Sequence, residues 1–194
     1  MDVKAGLPII RFESAVDWAA WLEANHAQSP GVWIEIAKTG GPQPTVTYPE
    51  ALDVAICFGW IDGQKASSVD DAHWLQKFTR RGQRSKWSKV NRQKATALIE
   101  QGRMRPAGLA EVERARQDGR WDAAYDSPGT ATVPDDLQQA LDSRPAAAAF
   151  FATLNSRNRY AILYRIQDAK RPETRARRIA DFVAMLDEGR TLYP

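Results

Sequence analysis

Two runs of alternating aromatic and polar residues, Trp60–Lys65 and His73–Phe78, constrain the fold more than any other part of the chain. Each run predicts a β-strand, and the polar stretch Ala66–Ala72 between them is typical of a turn, so together they indicate a hairpin. Val32–Lys38 also alternates and is rich in β-branched residues, which predicts a third strand. The three strands predict a small antiparallel or mixed sheet with helices on one side.

Helical patterns flank these strands. Ser14 precedes apolar residues at helical spacing, which predicts a helix that runs to about Asn25. Thr47 and Glu50 have the spacing of a capping box and open an apolar helix that ends at Gly59. Two further helices are predicted after the hairpin, one through about residue 101 and one over residues 109–118.

The last sixty residues are predicted to be helical throughout, with a proline at the start of several helices. The predicted helices are Asp135–Leu141, Ala146–Leu154, Ser156–Lys170 and Pro172–Glu188. We therefore predict an α+β domain over residues 1–127, which carries a basic arm, and a helical C-terminal module over residues 128–194. The two parts are expected to pack as one unit.

Positive charge is concentrated directly after the hairpin. Residues 77–94 hold eight Lys or Arg and no Asp or Glu, whereas the whole chain has a formal net charge of only +3. Such a cationic arm favours an anionic ligand, because arginine binds phosphate in a bidentate manner and a helix N-terminus adds backbone donors. Neutralisation by the acidic residues of positions 1–76 is the alternative, and both remain open.

The composition excludes several classes of protein. A hydrophobic content of 43% with 26% charged residues is typical of a globular domain, and no apolar run is long enough to cross a bilayer. The N-terminal residues do not have the pattern of a secretory signal, so we expect a cytoplasmic location. A single cysteine and two histidines without ligand spacing predict no disulfide, no metal site and no cofactor.

The candidate ligand surface lies on the hairpin and the basic arm. Alternation places Trp33, Glu35, Trp60 and Asp62 on one sheet face in one possible arrangement. The alternative is that the C-terminal helices pack over this face and bury the tryptophans, since large aromatic side chains are usually buried. Asp62 is the candidate acid or base. The candidate ligand-binding residues are Trp60, Asp62, Lys77, Arg80, Arg81, Arg84, Lys86, Trp87 and Ser88.

Eight short motifs along the chain carry a family resemblance: Cys57-Phe58-Gly59-Trp60-Ile61-Asp62-Gly63, Thr79-Arg80-Arg81, Ser85-Lys86-Trp87-Ser88, Gly102-Arg103-Met104, Pro106-Ala107-Gly108, Val133-Pro134-Asp135-Asp136-Leu137, Lys170-Arg171-Pro172-Glu173-Thr174-Arg175 and Arg178-Ile179. They resemble the YdeI/OmpD-associated family, whose members are also called bacteriocin-protection proteins, and the resemblance covers roughly Leu7 to Tyr193. It implies association with a porin, or tolerance of bacteriocins and cationic peptides, as in some members. It implies no catalytic residues.

The leading functional prediction is therefore a stress-tolerance or bacteriocin-tolerance protein that binds an anionic, phosphate-bearing ligand or a protein partner through this surface. An enzyme acting on a phosphorylated or nucleotide substrate, with Asp62 as acid or base, is the second hypothesis. Non-specific nucleic-acid binding is the third, and it predicts an affinity that falls steeply with salt.

Overall fold

The computed structural model describes residues 2–40, 44–68 and 70–194. Within these residues the protein is α+β, with five strands in one mixed sheet and eight helices. The chain divides into two compact units, one formed by residues 1–87 and 91–123 and the other by residues 88–90 and 124–194. The predicted boundary between residues 127 and 128 stays a prediction.

The first unit contains the sheet. Its strands are β1 (Val3–Lys4), β2 (Leu7–Arg11), β3 (Val32–Ala37), β4 (Trp60–Ser67) and β5 (His73–Arg80), arranged in the order β1-β2-β3-β5-β4. Its helices include α1 (Ala15–Asn25), α2 (Tyr48–Cys57) and α4 (Pro106–Gln117), and most of α3 (Lys89–Glu100) belongs to it. The hairpin, the third strand and the capping box at Thr47 are confirmed. Val69, within the predicted turn, lies outside the described residues.

The prediction of three strands was wrong, because β1 and β2 complete the sheet at one edge. Strand β1 has two residues and β2 carries Pro8, so neither has a strong local strand pattern. Strand β2 pairs in parallel with β3, where Ile9 lies opposite Trp33 and Ile10 opposite Ile34. This pairing joins residues far apart in sequence, and the local alternation of β2 alone does not reveal it.

The pairing register also corrects the predicted sheet faces. Asp62 lies opposite Phe78, and Phe78 lies opposite Val32, so Trp60 and Asp62 share a face with Val32 and not with Trp33. Helix α1 covers that face, with the Trp18 ring 6.1 Å from Trp60 and 5.7 Å from Phe78.

The opposite face of the sheet carries a smaller buried cluster of Leu7, Trp33 and Leu75. The Trp33 indole nitrogen donates a hydrogen bond of 3.0 Å to the Lys4 carbonyl, which ties the edge of the sheet to its centre. Glu35 is on this side of β3 and is only half-buried. Both faces therefore contain tryptophan in a packed environment.

The second unit is helical, as predicted. It contains α5 (Asp135–Asp142), α6 (Pro145–Thr153), α7 (Ser156–Gln167) and α8 (Pro172–Asp187). Its core consists of side chains from all four helices, among them Leu137, Phe151, Ile162 and Phe182. No helix of the described residues has the length and apolar character that crossing a bilayer would require.

Candidate functional site

A cavity of about 160 Å³ lies in the first unit beside the end of β5, and we call it the arginine cavity. Four separate parts of the chain supply its walls: the end of α1, the connection from α2 to β4, the end of β5, and α4. Its lining residues are His26, Ala27, Phe58, Gly59, Arg80, Arg81, Ala107 and Glu111.

Two glycines allow these segments to approach one another. Gly59 has a φ of +73°, and a side chain there would come within 2.8 Å of the Glu111 side chain. A Cβ atom at Gly108 would lie 2.2 Å from the Cys57 carbonyl oxygen, so the start of α4 rests directly on the end of α2. The Arg81 amide donates a hydrogen bond of 3.0 Å to the Gly59 carbonyl, which attaches the end of β5 to the same point.

The two lining arginines differ in exposure. Arg81 is 5% exposed, and its guanidinium carbon lies 3.6 Å from the centre of the Trp87 ring. One of its nitrogens also donates to the Lys86 carbonyl at 3.2 Å. Arg80 is exposed and donates a hydrogen bond of 2.9 Å to the Ala27 carbonyl. Arg81 is therefore a fixed part of the wall, whereas Arg80 lies at its solvent side.

Glu111 is the only carboxylate among the residues that line the cavity within the described part of the chain. Burial raises the pKa of Glu111, and the arginines at positions 114, 81, 120 and 80 oppose that rise. Its carboxylate forms an ion pair with Arg114, and Arg120 pairs with Asp118 at 2.7 Å. Positive charge consequently exceeds negative charge around this cavity.

The residues predicted to bind a ligand separate into several environments. Trp60 and Trp87 are buried at 0% and 1% exposure, so their rings stabilise the fold. Asp62 accepts a hydrogen bond of 2.9 Å from the Tyr48 hydroxyl. Ser88 is buried, belongs to the second unit and pairs with Tyr125. Lys77 is half-buried, and Arg84 and Lys86 are exposed.

Part of the basic arm is neutralised by ion pairs. Lys94 binds Asp53 at 2.6 Å, and Lys89 binds Asp126 at 2.7 Å. Asp53 is one of the acidic residues of positions 1–76 that the sequence offered for this role, whereas Asp126 is not. Neutralisation by an acidic residue of positions 1–76 therefore applies to Lys94, and anion binding by other cations of the arm stays a prediction.

The sequence analysis did not identify Glu111 or His26 as site residues. Glu111 follows an ordinary helical pattern on α4, and His26 is the C-cap residue of α1. The pair Ala107-Gly108 near the start of α4 is the local signal that a close helix contact was required, because small residues permit such an approach. Nothing local identifies the partner of that contact.

A second polar cluster lies on the other sheet face. Atoms of Glu35, Asp70 and His73 lie within 4.8 Å of one another, a grouping that could hold a metal ion. The Arg11 guanidinium already lies 2.7 Å from Glu35 and 3.9 Å from Asp70. Because this cation supplies the positive charge that the carboxylates require, the cluster is an ion-pair network that joins β2 to β3.

The Asp70–His73 pair is part of that network. The His73 ring is 4% exposed, and its Nδ1 atom lies 2.9 Å from an Asp70 oxygen. Hydrogen bonding to His73 lowers the pKa of Asp70. This pair holds the start of β5 against the preceding turn, and it borders a broad, open depression that Lys65 and Trp74 also line.

Comparison with known proteins divides the chain into two matched regions. Residues 10–111 match a family model described as a domain of unknown function (DUF8412), and this range contains every residue that lines the arginine cavity. Residues 130–189 match the bacteriocin-protection, YdeI or OmpD-associated family model, in agreement with the resemblance noted from the sequence. Neither a curated protein nor a solved structure matches the chain.

Proposed function

The chain belongs to the DUF8412 family, and from this premise we propose that its first unit binds a small anion or the phosphate group of a larger ligand at the arginine cavity. The convergence of four arginines on one carboxylate carries this proposal. Arg80 and Arg81 line the cavity together with Glu111, Arg114 forms an ion pair with that carboxylate, and the positive charge of Arg120 also lowers its pKa. An anion that enters would meet preorganised guanidinium donors.

The size of the cavity limits the part of a ligand that can enter. About 160 Å³ is the space of roughly five water molecules, which suits one phosphate or carboxylate group and excludes a whole nucleotide. The exposed side chains of Arg84 and Lys86, both predicted as ligand-binding residues, would contact the remainder of a larger ligand. Lys77 remains a candidate for the same role.

The biological role that we propose follows from the C-terminal match. Because residues 130–189 match the bacteriocin-protection model, we propose that anion binding by the first unit serves tolerance of bacteriocins or similar stress. A cytoplasmic location is part of this proposal, and cell fractionation checks it. A deletion strain that carries the Arg80→Gln variant should be as sensitive as the deletion itself.

Binding is better supported than catalysis. The enzyme hypothesis requires Asp62 or Glu35 beside the cations of the arm. Asp62 instead binds the Tyr48 hydroxyl, and Glu35 binds Arg11 and the Ser68 hydroxyl. Both carboxylates therefore have structural partners, Asp62 on α2 and Glu35 on β2 and just after β4.

The test is isothermal calorimetry and thermal unfolding of the full chain with inorganic phosphate, a nucleoside monophosphate and a short oligonucleotide. A ligand at about 100 times its dissociation constant should add about 2.7 kcal/mol of stability. Arg80→Gln should weaken binding at least tenfold, and Glu111→Gln should strengthen it because the competing carboxylate is lost. The matched control is Arg116→Gln, which changes an exposed arginine on α4, the helix that also carries Glu111.

Two results would count against this proposal. Equal affinities in the Arg80→Gln and Arg116→Gln variants would place any anion elsewhere. Binding of the oligonucleotide alone, with steep salt dependence, would favour the nucleic-acid hypothesis over a phosphate-sized site.

A further inference from the structure

The second unit contains a groove that the proposed function does not use. It has a volume of about 570 Å³ and is lined by three aromatic rings and two guanidinium groups. We call it the tyrosine–arginine groove after Tyr160, Tyr164, Tyr193, Arg157 and Arg165. All the residues that line it belong to residues 128–194.

Helix α7 and the C-terminal tail form its walls. Tyr160 and Tyr164 are one helical turn apart on α7, so their rings lie on the same side of that helix, with centroids 5.9 Å apart. The tail is held by Asn158, which is 2% exposed. Its side chain accepts a hydrogen bond of 2.9 Å from the Tyr193 amide and donates one of 3.1 Å to the Tyr193 carbonyl. The wall that Tyr193 provides is therefore fixed in place.

The groove is electrostatically positive. The Arg157 guanidinium carbon lies 4.3 Å from the centre of the Tyr193 ring, and that of Arg165 lies 6.0 Å from it. No aspartate or glutamate is among the lining residues of the described chain. Arg157 also lies in the first turn of α7, where the exposed amide groups of the helix add partial positive charge.

The Tyr160 hydroxyl adds no negative charge to the groove. Tyr160 donates a hydrogen bond of 2.8 Å to the Asp126 carbonyl, and burial, together with the neighbouring Tyr125, Tyr164 and Asp126, raises the pKa of Tyr160 to about 12. Its ring is thus neutral near pH 7. The groove offers neutral aromatic faces and cationic side chains together.

We propose that the tyrosine–arginine groove binds a small planar aromatic anion. Aromatic rings stack on flat ligands, and guanidinium groups bind carboxylate or phosphate. The volume lies within the range of about 300–1,000 Å³ that is typical of sites for small molecules. Because no Asp or Glu is among the described residues that line the groove, the groove favours a negatively charged ligand. This site is separate from the arginine cavity and does not depend on it.

The test is calorimetry of the full chain with two anions, indole-3-carboxylate and adenosine monophosphate, against their neutral counterparts, indole and adenosine. At least one anion should bind at least tenfold more tightly than its neutral counterpart. Binding of only one of the two anions supports the proposal and shows whether the groove prefers a carboxylate or a phosphate group. Equal binding of anion and neutral compound, or no binding at millimolar concentration, overturns it.

Variants then locate the site. Arg157→Gln/Arg165→Gln should lower the affinity for the bound anion at least tenfold, whereas Arg177→Gln, an exposed change on α8, should leave it unchanged. Tyr193→Ala should lower the affinity for the anion and the affinity for its neutral counterpart by a similar factor, because it removes contact with an aromatic ring and leaves the charge unchanged. Arg80→Gln acts on the arginine cavity, so it should leave unchanged the binding step that Arg157→Gln/Arg165→Gln weakens, even if the same anion also binds at the cavity. A loss of binding in Arg80→Gln, with the groove variants unaffected, would overturn the assignment to the groove.

Discussion

The arginine cavity and the tyrosine–arginine groove combine arginine and aromatic side chains in opposite ways. In the cavity, Arg81 is buried against Trp87 and a carboxylate lies close by. In the groove, Arg157 and Arg165 are exposed beside Tyr193, without an acid among the described lining residues. Arg81 therefore supports the fold, whereas Arg157 and Arg165 keep their guanidinium groups at the surface beside Tyr193.

The two sites also differ in how the chain assembles them. The cavity joins residues from position 26 to position 111, so it depends on the packing of four elements. Most of the groove lies on one helix, and only its ends come from residues 128 and 193. A site assembled from distant segments should be more sensitive to changes in backbone packing than a site on one helix.

Gly108→Ala should have the largest effect, because the new Cβ atom would lie 2.2 Å from the Cys57 carbonyl. We expect a loss of about 3 kcal/mol in the free energy of unfolding, from overpacking against backbone that cannot move away. Chemical denaturation measures it. Gly63→Ala is the control, since its nearest contact would be an ordinary 3.7 Å. A loss below about 1 kcal/mol for Gly108→Ala would mean that α4 can separate from α2 without cost.

The losses in the free energy of unfolding caused by Arg81→Ala and Arg157→Ala compare a buried arginine with an exposed one. The first removes a buried cation from the Trp87 face and should cost about 2 kcal/mol of stability. The second alters an exposed side chain and should cost less than about 0.5 kcal/mol. Denaturation midpoints at constant m-value report both changes. Similar losses for the two variants would show that burial does not distinguish these sites.

The pH dependence of stability should differ in sign between two carboxylates, Glu111 in the first unit and Asp136 in the second. The raised pKa of Glu111 means that the folded state holds the proton more firmly, so its contribution to stability is present at low pH and is lost as pH rises above about 4.5. Hydrogen bonding to Arg175 lowers the pKa of Asp136, so that contribution is present above about pH 3.8 and is lost as pH falls.

Matched amide variants measure this difference. Glu111→Gln should become more stable relative to the unaltered chain as pH rises from 4 to 7. Asp136→Asn should be less stable by about 0.5 kcal/mol at pH 7, because its ion pair is largely exposed, and this difference should shrink as pH falls below 3.8. The same direction of change in both variants would contradict the opposite environments assigned to these carboxylates.

Elements with strong local patterns could be predicted from the sequence. The alternation of Trp60–Lys65 and His73–Phe78 was sufficient for the hairpin, and the spacing of Thr47 and Glu50 for the start of α2. The four C-terminal helices follow from helical periodicity, with a proline at the start of three of them. In the second unit, the four-residue spacing of Tyr160 and Tyr164 is enough to put both on one face of α7, which forms most of the groove's wall.

The tertiary structure alone decided which residues meet. The sequence determined an α+β fold, a hairpin followed by concentrated positive charge, and a helical C-terminal part, because each depends on residues near one another in the chain. It did not determine the short strands β1 and β2, the sheet face of Trp60, or the position of Glu111 among the arginines. These depend on pairing register and helix packing between distant segments, for which local periodicity carries no information.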